Sequence, residues 1–263
     1  MELSGAVRGF EILFGWSLLL QTVEYLRIER LDTVGDWSVQ RLEVPDSPRA
    51  ARALLDLLLQ PLPYRMLLLA RLGLALWLIV GGLALGGALL LFGIALVLLM
   101  RWRGAFNGGS DFMTLVVLSG GLIAHVVGAW THPEWGWQAG LWYISIHAIS
   151  SYFMSGWVKL KHAHWRSGQA LTIFLNGAIH GPLPPDSWFR KPWLARLSAW
   201  SFILWECAFP LALSGPAQAQ AMCAVAGVFH FLVFWFFGLN RFFWAWVTCF
   251  PAVIYCADWK MNI

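Results

Sequence analysis

The chain has 263 residues, of which 59% are hydrophobic and only 12% charged, with a net charge of +4. A soluble domain carries about 25% charged residues, so a soluble globular protein is excluded and a polytopic membrane protein is expected. The cations are scattered through loops rather than run together, which argues against a nucleic-acid partner, and the 18 Trp suit a chain that meets two bilayer interfaces.

The first apolar segment, about Val7 to Leu26, is interrupted by Glu11, Gln21 and Glu24 and has no small-residue cleavage site. It reads as a membrane helix rather than a removable signal. A polar amphipathic stretch follows, about Arg27 to Gln60, running into "QPLPYR". From Tyr64 to Met100 the chain is almost continuously apolar, too long for one crossing of about 20 residues. "GGLALGG" at Gly81 to Gly87 is the expected tight turn between helices two and three.

Helix four follows "RWRGAFNGGSD", with Asp111 as its expected N-cap, and runs to about Trp130. The loop "THPEWGW" leads into helix five, about Gln138 to Leu160. The long loop Lys161 to Pro192 carries an amphipathic piece, "GQALTIFLNGAIHG", expected on the membrane surface. Helices six, seven and eight are expected at about Trp193 to Leu213, Gln218 to Leu239 and Phe242 to Ala257. The fold class is therefore an all-α membrane protein: a bundle of about eight transmembrane helices forming one domain over residues 1–263, with an amphipathic surface segment after helix five and no separate soluble domain. It is placed as an integral, multi-pass protein of the cell membrane, with the lipid bilayer as its first partner.

The Lys and Arg residues fall almost entirely in loops after odd-numbered helices, among them Arg101, Arg103, Lys161, Arg166, Arg190, Lys191 and Arg241. By charge bias those loops are cytoplasmic.

Helix five carries the most informative stretch, "YFMSGWVKLKHAHWRSG", Tyr152 to Gly168. Ser145, Tyr152 and Lys159 are seven apart, so they drift only about 20° per step on a 3.6-residue helix, and Ser155 lies close to the same face. Such a stripe is expected to face a cavity or the bundle interior. An amine held away from water can give up its proton and act as a base. The other reading is that Lys159 snorkels to the headgroups from a helix end.

Glu206 in "ILWECAFP" and His230 in "VAGVFHFLVFW" sit mid-helix, where an ionisable group needs a partner, and either structure or chemistry accounts for them. His132 lies in the short loop after helix four, and His147 is about 120° around from Lys159 on helix five. His162 and His164 are spaced HxH without a third ligand nearby, so no metal is expected. The four cysteines lie in apolar segments without CxxC spacing and read as packing residues. The Trp and Phe density of helices seven and eight fits either a pocket for a flat aromatic ligand or ordinary packing.

Taken in order, these segments resemble one family. "YFMSGWVKLKHAHWRSG" resembles the helix-end signature of the horizontally transferred transmembrane domain, shared with the vitamin K-dependent gamma-carboxylases. "PLPYRMLLL", "RGAFNGGSDFM", "FILWECAFPL" and "VFHFLVFWFFGLNRFFWAW" resemble that family's approach to helix two, its polar turn before helix four, its acidic residue of helix six and its His of helix seven. The resemblance implies that Lys159 is the base acting on a reduced, vitamin K-like quinone. The hydroquinone anion then reacts with oxygen to give a strongly basic alkoxide, which removes a proton from a substrate Glu that adds carbon dioxide. An assisting His is implied, with His132 the positional match. Tyr152, Ser155, Trp165, Glu206 and His230 are implied around the quinone pocket.

The carboxylases carry a large exoplasmic domain after the bundle that helps bind the protein substrate, and this chain ends at Ile263, just past helix eight. The resemblance therefore implies the quinone pocket and its base more directly than peptide carboxylation. It also implies that the Lys159 end of helix five faces the exoplasmic side, against the charge bias, and it is given the greater weight because homologous bundles rarely invert. Two other readings stay open: a non-catalytic accessory subunit with a membrane-protein partner or peptide substrate, and a carrier of quinone or lipid.

Overall fold

The computed structural model describes residues 1–31, 37, 41–43, 48–102 and 109–261. Among the described residues all the regular structure is helical. This suits a chain in hydrocarbon, where a helix satisfies its own backbone N–H and C=O groups. The helices are α1 (Leu3–Leu31), α2 (Arg49–Leu58), α3 (Pro61–Gly81), α4 (Leu85–Arg101), α5 (Asp111–Trp130), α6 (Pro133–Lys161), α7 (Ala163–Arg166), α8 (Gln169–Asn176), α9 (Pro192–Ala208), α10 (Pro216–Phe237), α11 (Asn240–Val247) and α12 (Phe250–Met261).

Six stretches among the described residues are long and apolar enough to cross a membrane: Leu3–Glu29, α3, α5, α9 with its 3-10 continuation to Ser214, α10, and the α11–α12 run from Asn240 to Trp259. Two of the expected crossings fall outside that set. α4 has 17 residues, about 25 Å of helix against a hydrocarbon core of about 30 Å. α6 has the length, at 29 residues, but its Glu, His, Ser, Tyr, Trp and Lys side chains lower its apolarity.

Several expected boundaries shift for local reasons. Asp111 is the first residue of α5 and Ser110 precedes it, so Asp111 is not the cap, and residues 103–108 of the preceding turn lie outside the described residues. Helix eight is broken at Thr248–Cys249. Pro251 has no N–H for the carbonyl four residues back, which is where α11 ends. Pro210 acts in the same way on α9, which tightens into a 3-10 helix over Phe209–Ser214.

The described residues divide into two compact units, Val7–Gly140 and Met1–Ala6 with Leu141–Ile263. The first unit explains the polar residues that interrupt α1. The turn between α3 and α4 runs through Gly82, at φ 85°, a conformation that favours glycine. Glu11 accepts the Leu83 N–H at 2.7 Å, and Arg8 donates to the carbonyls of Leu78 and Ile79. Side chains of α1 thus satisfy backbone groups that the turn releases. Gln21 and Thr22 instead receive Arg71, which is 2% exposed on α3. The guanidinium donates to Thr22 Oγ1 and Gln21 Oε1, each at 2.9 Å, and lies over the Tyr25 ring.

The expected polar stretch after α1 is described in part. Trp37 Nε1 donates to Asp56 Oδ1 of α2 at 2.8 Å, and Arg41 Nε is 2.8 Å from the same oxygen. Trp37 then packs in a cluster with Tyr25, Leu59, Tyr64 and Leu68.

In the second unit, α7 and α8 follow α6 directly, and the segment after α8 returns to the C-terminus of α10. Ile179 N–H donates to Phe236 O at 2.9 Å, and His180 Nε2 lies 3.1 Å from Trp235 O. The second unit holds Tyr152, Ser155, Lys159, Trp165, Glu206 and His230.

Candidate functional site

The C-terminal half of α6 sets the site because its polar residues recur at helical spacing. Ser145 and Tyr152 are buried, and the Lys159 side chain is 14% exposed. Lys159 does not snorkel. Its Nζ lies 2.6 Å from Ser155 Oγ and 2.6 Å from both Glu206 oxygens. Ser155 Oγ also donates to Glu206 Oε1 at 3.2 Å.

Backbone geometry permits this pairing. A Cβ at Gly156 would fall 2.7 Å from Cys207 N and 2.8 Å from Glu206 Cβ, so α9 passes α6 with nothing but glycine between. Glu206 stands near the end of α9, two residues before its last, and is 2% exposed. Lys159 Nζ also lies over the ring of Trp165 of α7, 5.3 Å from its centre. Trp165 in turn stacks on Phe174 of α8 at 5.7 Å.

A second polar pair lies one to two turns deeper along α6. Tyr152 Oη is 2.6 Å from His230 Nε2, and His230 is 1% exposed. Tyr152 stacks on Phe209 at 4.0 Å and also packs against Trp205 and Trp246. His230 stacks on Trp246 at 5.0 Å. Three nitrogens in this aromatic box, His230 Nδ1, Trp205 Nε1 and Trp246 Nε1, are buried without a hydrogen-bond partner among the described residues. Unmade hydrogen bonds of this kind cost about 1–3 kcal/mol each.

The structure therefore gathers Lys159, Ser155, Trp165 and Glu206 around one ion pair, and Tyr152 with His230 around a second pair beneath it. His132 is not among them. It is exposed, precedes the first residue of α6 and belongs to the first unit, whereas Lys159 lies in the last turn of that helix in the second. The residue that touches the lysine is an acid, Glu206, not a histidine. His147 packs on Tyr143 at 4.4 Å, and His164 Nδ1 lies 2.7 Å from Gln169 Oε1. The four thiols are unbridged.

No family model, no curated protein and no solved structure matches this chain. The resemblance to the carboxylase membrane domain rests on the motifs alone.

Reading the sequence finds Tyr152 and His230 but misses the other three walls of the box, Trp205, Phe209 and Trp246. Phe209 lies three residues after Glu206 and four after Trp205, so helical spacing from Glu206 finds Phe209, and from Phe209 finds Trp205. Trp246 is visible only as one of many aromatics. The sequence also misses an open, apolar groove of about 640 Å³ between α10 and the α11–α12 run, walled by Cys223, Gly227, Phe231, Phe243, Val247 and Phe250.

Proposed function

We propose that this chain is a multi-pass bundle in which α4 and α6 cross the membrane along with the six more apolar stretches, one domain like that of the horizontally transferred transmembrane family. We infer that it takes protons from a reduced quinone. The observation that carries this reading is the Lys159–Glu206 pair, nearly out of water and with its ammonium over one indole.

A lysine facing a carboxylate in a dry site shares one proton between two bases. With the proton on Lys159 the pair is ionic. With it on Glu206 both groups are neutral. Either state leaves one basic atom, carboxylate or amine, for an incoming O–H, while Ser155 hydrogen-bonds to the pair throughout. The pair thus supplies the base that the resemblance assigns to Lys159 with an assisting His.

The aromatic cluster around Tyr152 and His230 is closely packed, Tyr152 on Phe209 at 4.0 Å, and a flat ring with oxygen acceptors would enter it only by parting those rings. The walls of this box are Tyr152, Trp205, Phe209, His230 and Trp246, and its three unpartnered nitrogens suit a ligand that brings oxygens with it. A reduced quinone would supply, with oxygen, the strong base formed as the ring goes to its epoxide and water is released. The residues of this chain would bind the ring, exclude water and accept the first proton. A carbon acid that takes up carbon dioxide is the acceptor implied by the resemblance, whether peptide or small molecule.

A carrier reading has one observation in its favour, the apolar groove of about 640 Å³, which would hold the tail of a quinone or lipid without any chemistry.

The test is to mix purified protein with a naphthohydroquinone without oxygen, admit oxygen, and measure epoxide by mass spectrometry beside Lys159→Ala. Epoxide from wild type and none from the variant supports the reading. No epoxide from a folded wild type sinks it for this quinone class and leaves the carrier and accessory-subunit readings.

A further inference from the structure

The segment from Lys161 to Arg196 does more than hold Trp165, and Phe174 behind it, against the site. Five large apolar side chains stand out from it: Ile173 (62% exposed), Phe174 (54%), Ile179 (62%), Trp188 (63%) and Trp193 (58%). In a chain that folds in water such a set would be buried. α8, which carries two of them, has only eight residues and cannot cross a bilayer.

These side chains are held out by a braced backbone. Gly168, at φ 82°, lies so close to α9 that a Cβ there would meet Ala195 C and Arg196 N at 2.5 Å. The Arg190 guanidinium donates to the carbonyls of Leu183 and Pro184 and to Asn176 Oδ1. The Ile179 N–H is tied to Phe236 O.

The same segment is strongly basic. Lys161, Arg166, Arg190, Lys191 and Arg196 are all exposed, against one acidic residue, Asp186. Two of the ammonium groups ride on indoles, Lys191 at 3.8 Å from the Trp188 ring centre and Lys161 at 4.8 Å from that of Trp157. Exposed apolar side chains that alternate with exposed cations along one segment match the boundary between acyl chains and headgroups.

We propose that this face is a docking surface for anionic phospholipid, with Ile173, Phe174, Ile179, Trp188 and Trp193 entering the acyl boundary and Lys161, Arg166, Lys191 and Arg196 pairing with phosphate. The charge imbalance selects the occupant, because a zwitterionic headgroup brings no net charge to offset five cations. The inference does not depend on the chemistry assigned to Lys159.

The experiment is native mass spectrometry of the delipidated full chain, titrated separately with phosphatidylglycerol and phosphatidylcholine. Wild type is expected to retain phosphatidylglycerol preferentially, and the preference should weaken as salt is raised. The combined variant Lys161→Gln, Arg166→Gln, Lys191→Gln and Arg196→Gln is expected to lose at least about tenfold of that preference, since each cation near a charged surface contributes up to about fivefold. The control variant Arg49→Gln with Arg65→Gln removes two exposed cations elsewhere and is expected to keep it. Equal retention of both lipids by wild type would overturn the proposal without any variant. So would a preference lost equally in the control variant, which would make it a matter of net charge. Competition by soluble glycerol phosphate would also overturn it, by showing an anion site without a lipid surface.

Discussion

Lys159 Nζ stands 2.6 Å from each oxygen of Glu206, a contact between α6 and α9 made across Gly156. Both partners are largely withdrawn from water. Removing either one strands the other, while removing both leaves only an apolar gap. Lys159→Met and Glu206→Leu are each expected to destabilise by about 3–5 kcal/mol. The double variant Lys159→Met with Glu206→Leu is expected to recover most of that loss. Thermal unfolding of the four proteins in one detergent reads the cycle, and additive losses would show that the two side chains do not act as a pair.

Glu206→Gln keeps the shape of the pair and removes one of its two bases. If the pair takes the first proton from a hydroquinone, epoxide formation is expected to fall by about 10²–10⁴-fold. Its dependence on pH is expected to change with it. A variant with wild-type turnover would return the role to Lys159 alone.

Gly156→Ala places a methyl against Cys207 N and Glu206 Cβ. Backbone cannot yield as a side-chain tip does, so α9 must shift away from α6. A cost of about 1–3 kcal/mol in stability is expected, with a larger proportional loss of turnover because the 2.6 Å contacts lengthen. Unfolding and epoxide assays on the same preparation separate the two effects.

Glu11 accepts the Leu83 N–H in the turn between α3 and α4. Glu11→Ala leaves that donor buried without its acceptor and is expected to cost about 1–3 kcal/mol. Glu11→Gln retains an acceptor oxygen and is expected to cost less. Hydrogen exchange at Leu83 checks the assignment, since it should speed up in the Ala variant before global unfolding does.

The Asp56 carboxyl is held below the usual carboxylate range, first by the Trp37 N–H and then by Arg41. A lowered folded value means that its contribution is fully present above about pH 4 and fades as pH falls through that lower value. Exchange across Arg49–Leu58, corrected for intrinsic rates, is expected to stay slow down to about pH 4 and to quicken below it. Asp56→Asn should show the quick rate throughout.

Much of the architecture is legible in the sequence because hydrophobic length and helix breakers act locally. The turn at "GGLALGG" falls where expected, with α3 ending at Gly81 and α4 starting at Leu85. The face shared by Tyr152, Ser155 and Lys159 follows from helical spacing alone, and all three do turn to polar partners. The break in helix eight was present in the sequence as Pro251, but an apolar run hides a proline near its middle.

What the sequence by itself determined is the class of the protein and the list of polar residues that a membrane chain must account for: Glu11, Gln21, Tyr152, Ser155, Lys159, Glu206 and His230. Which of them meet was decided only by the tertiary structure. Lys159 pairs with Glu206, 47 positions away, and Tyr152 with His230, 78 positions away. No spacing rule spans such distances. His132 matched a motif yet stands exposed in the other unit, while Arg71, unremarked in an apolar run, is buried against Gln21 and Thr22. The physical reason is common to all these cases. Where water is excluded a polar group needs a partner, and the partner is chosen by how closely two helices pack.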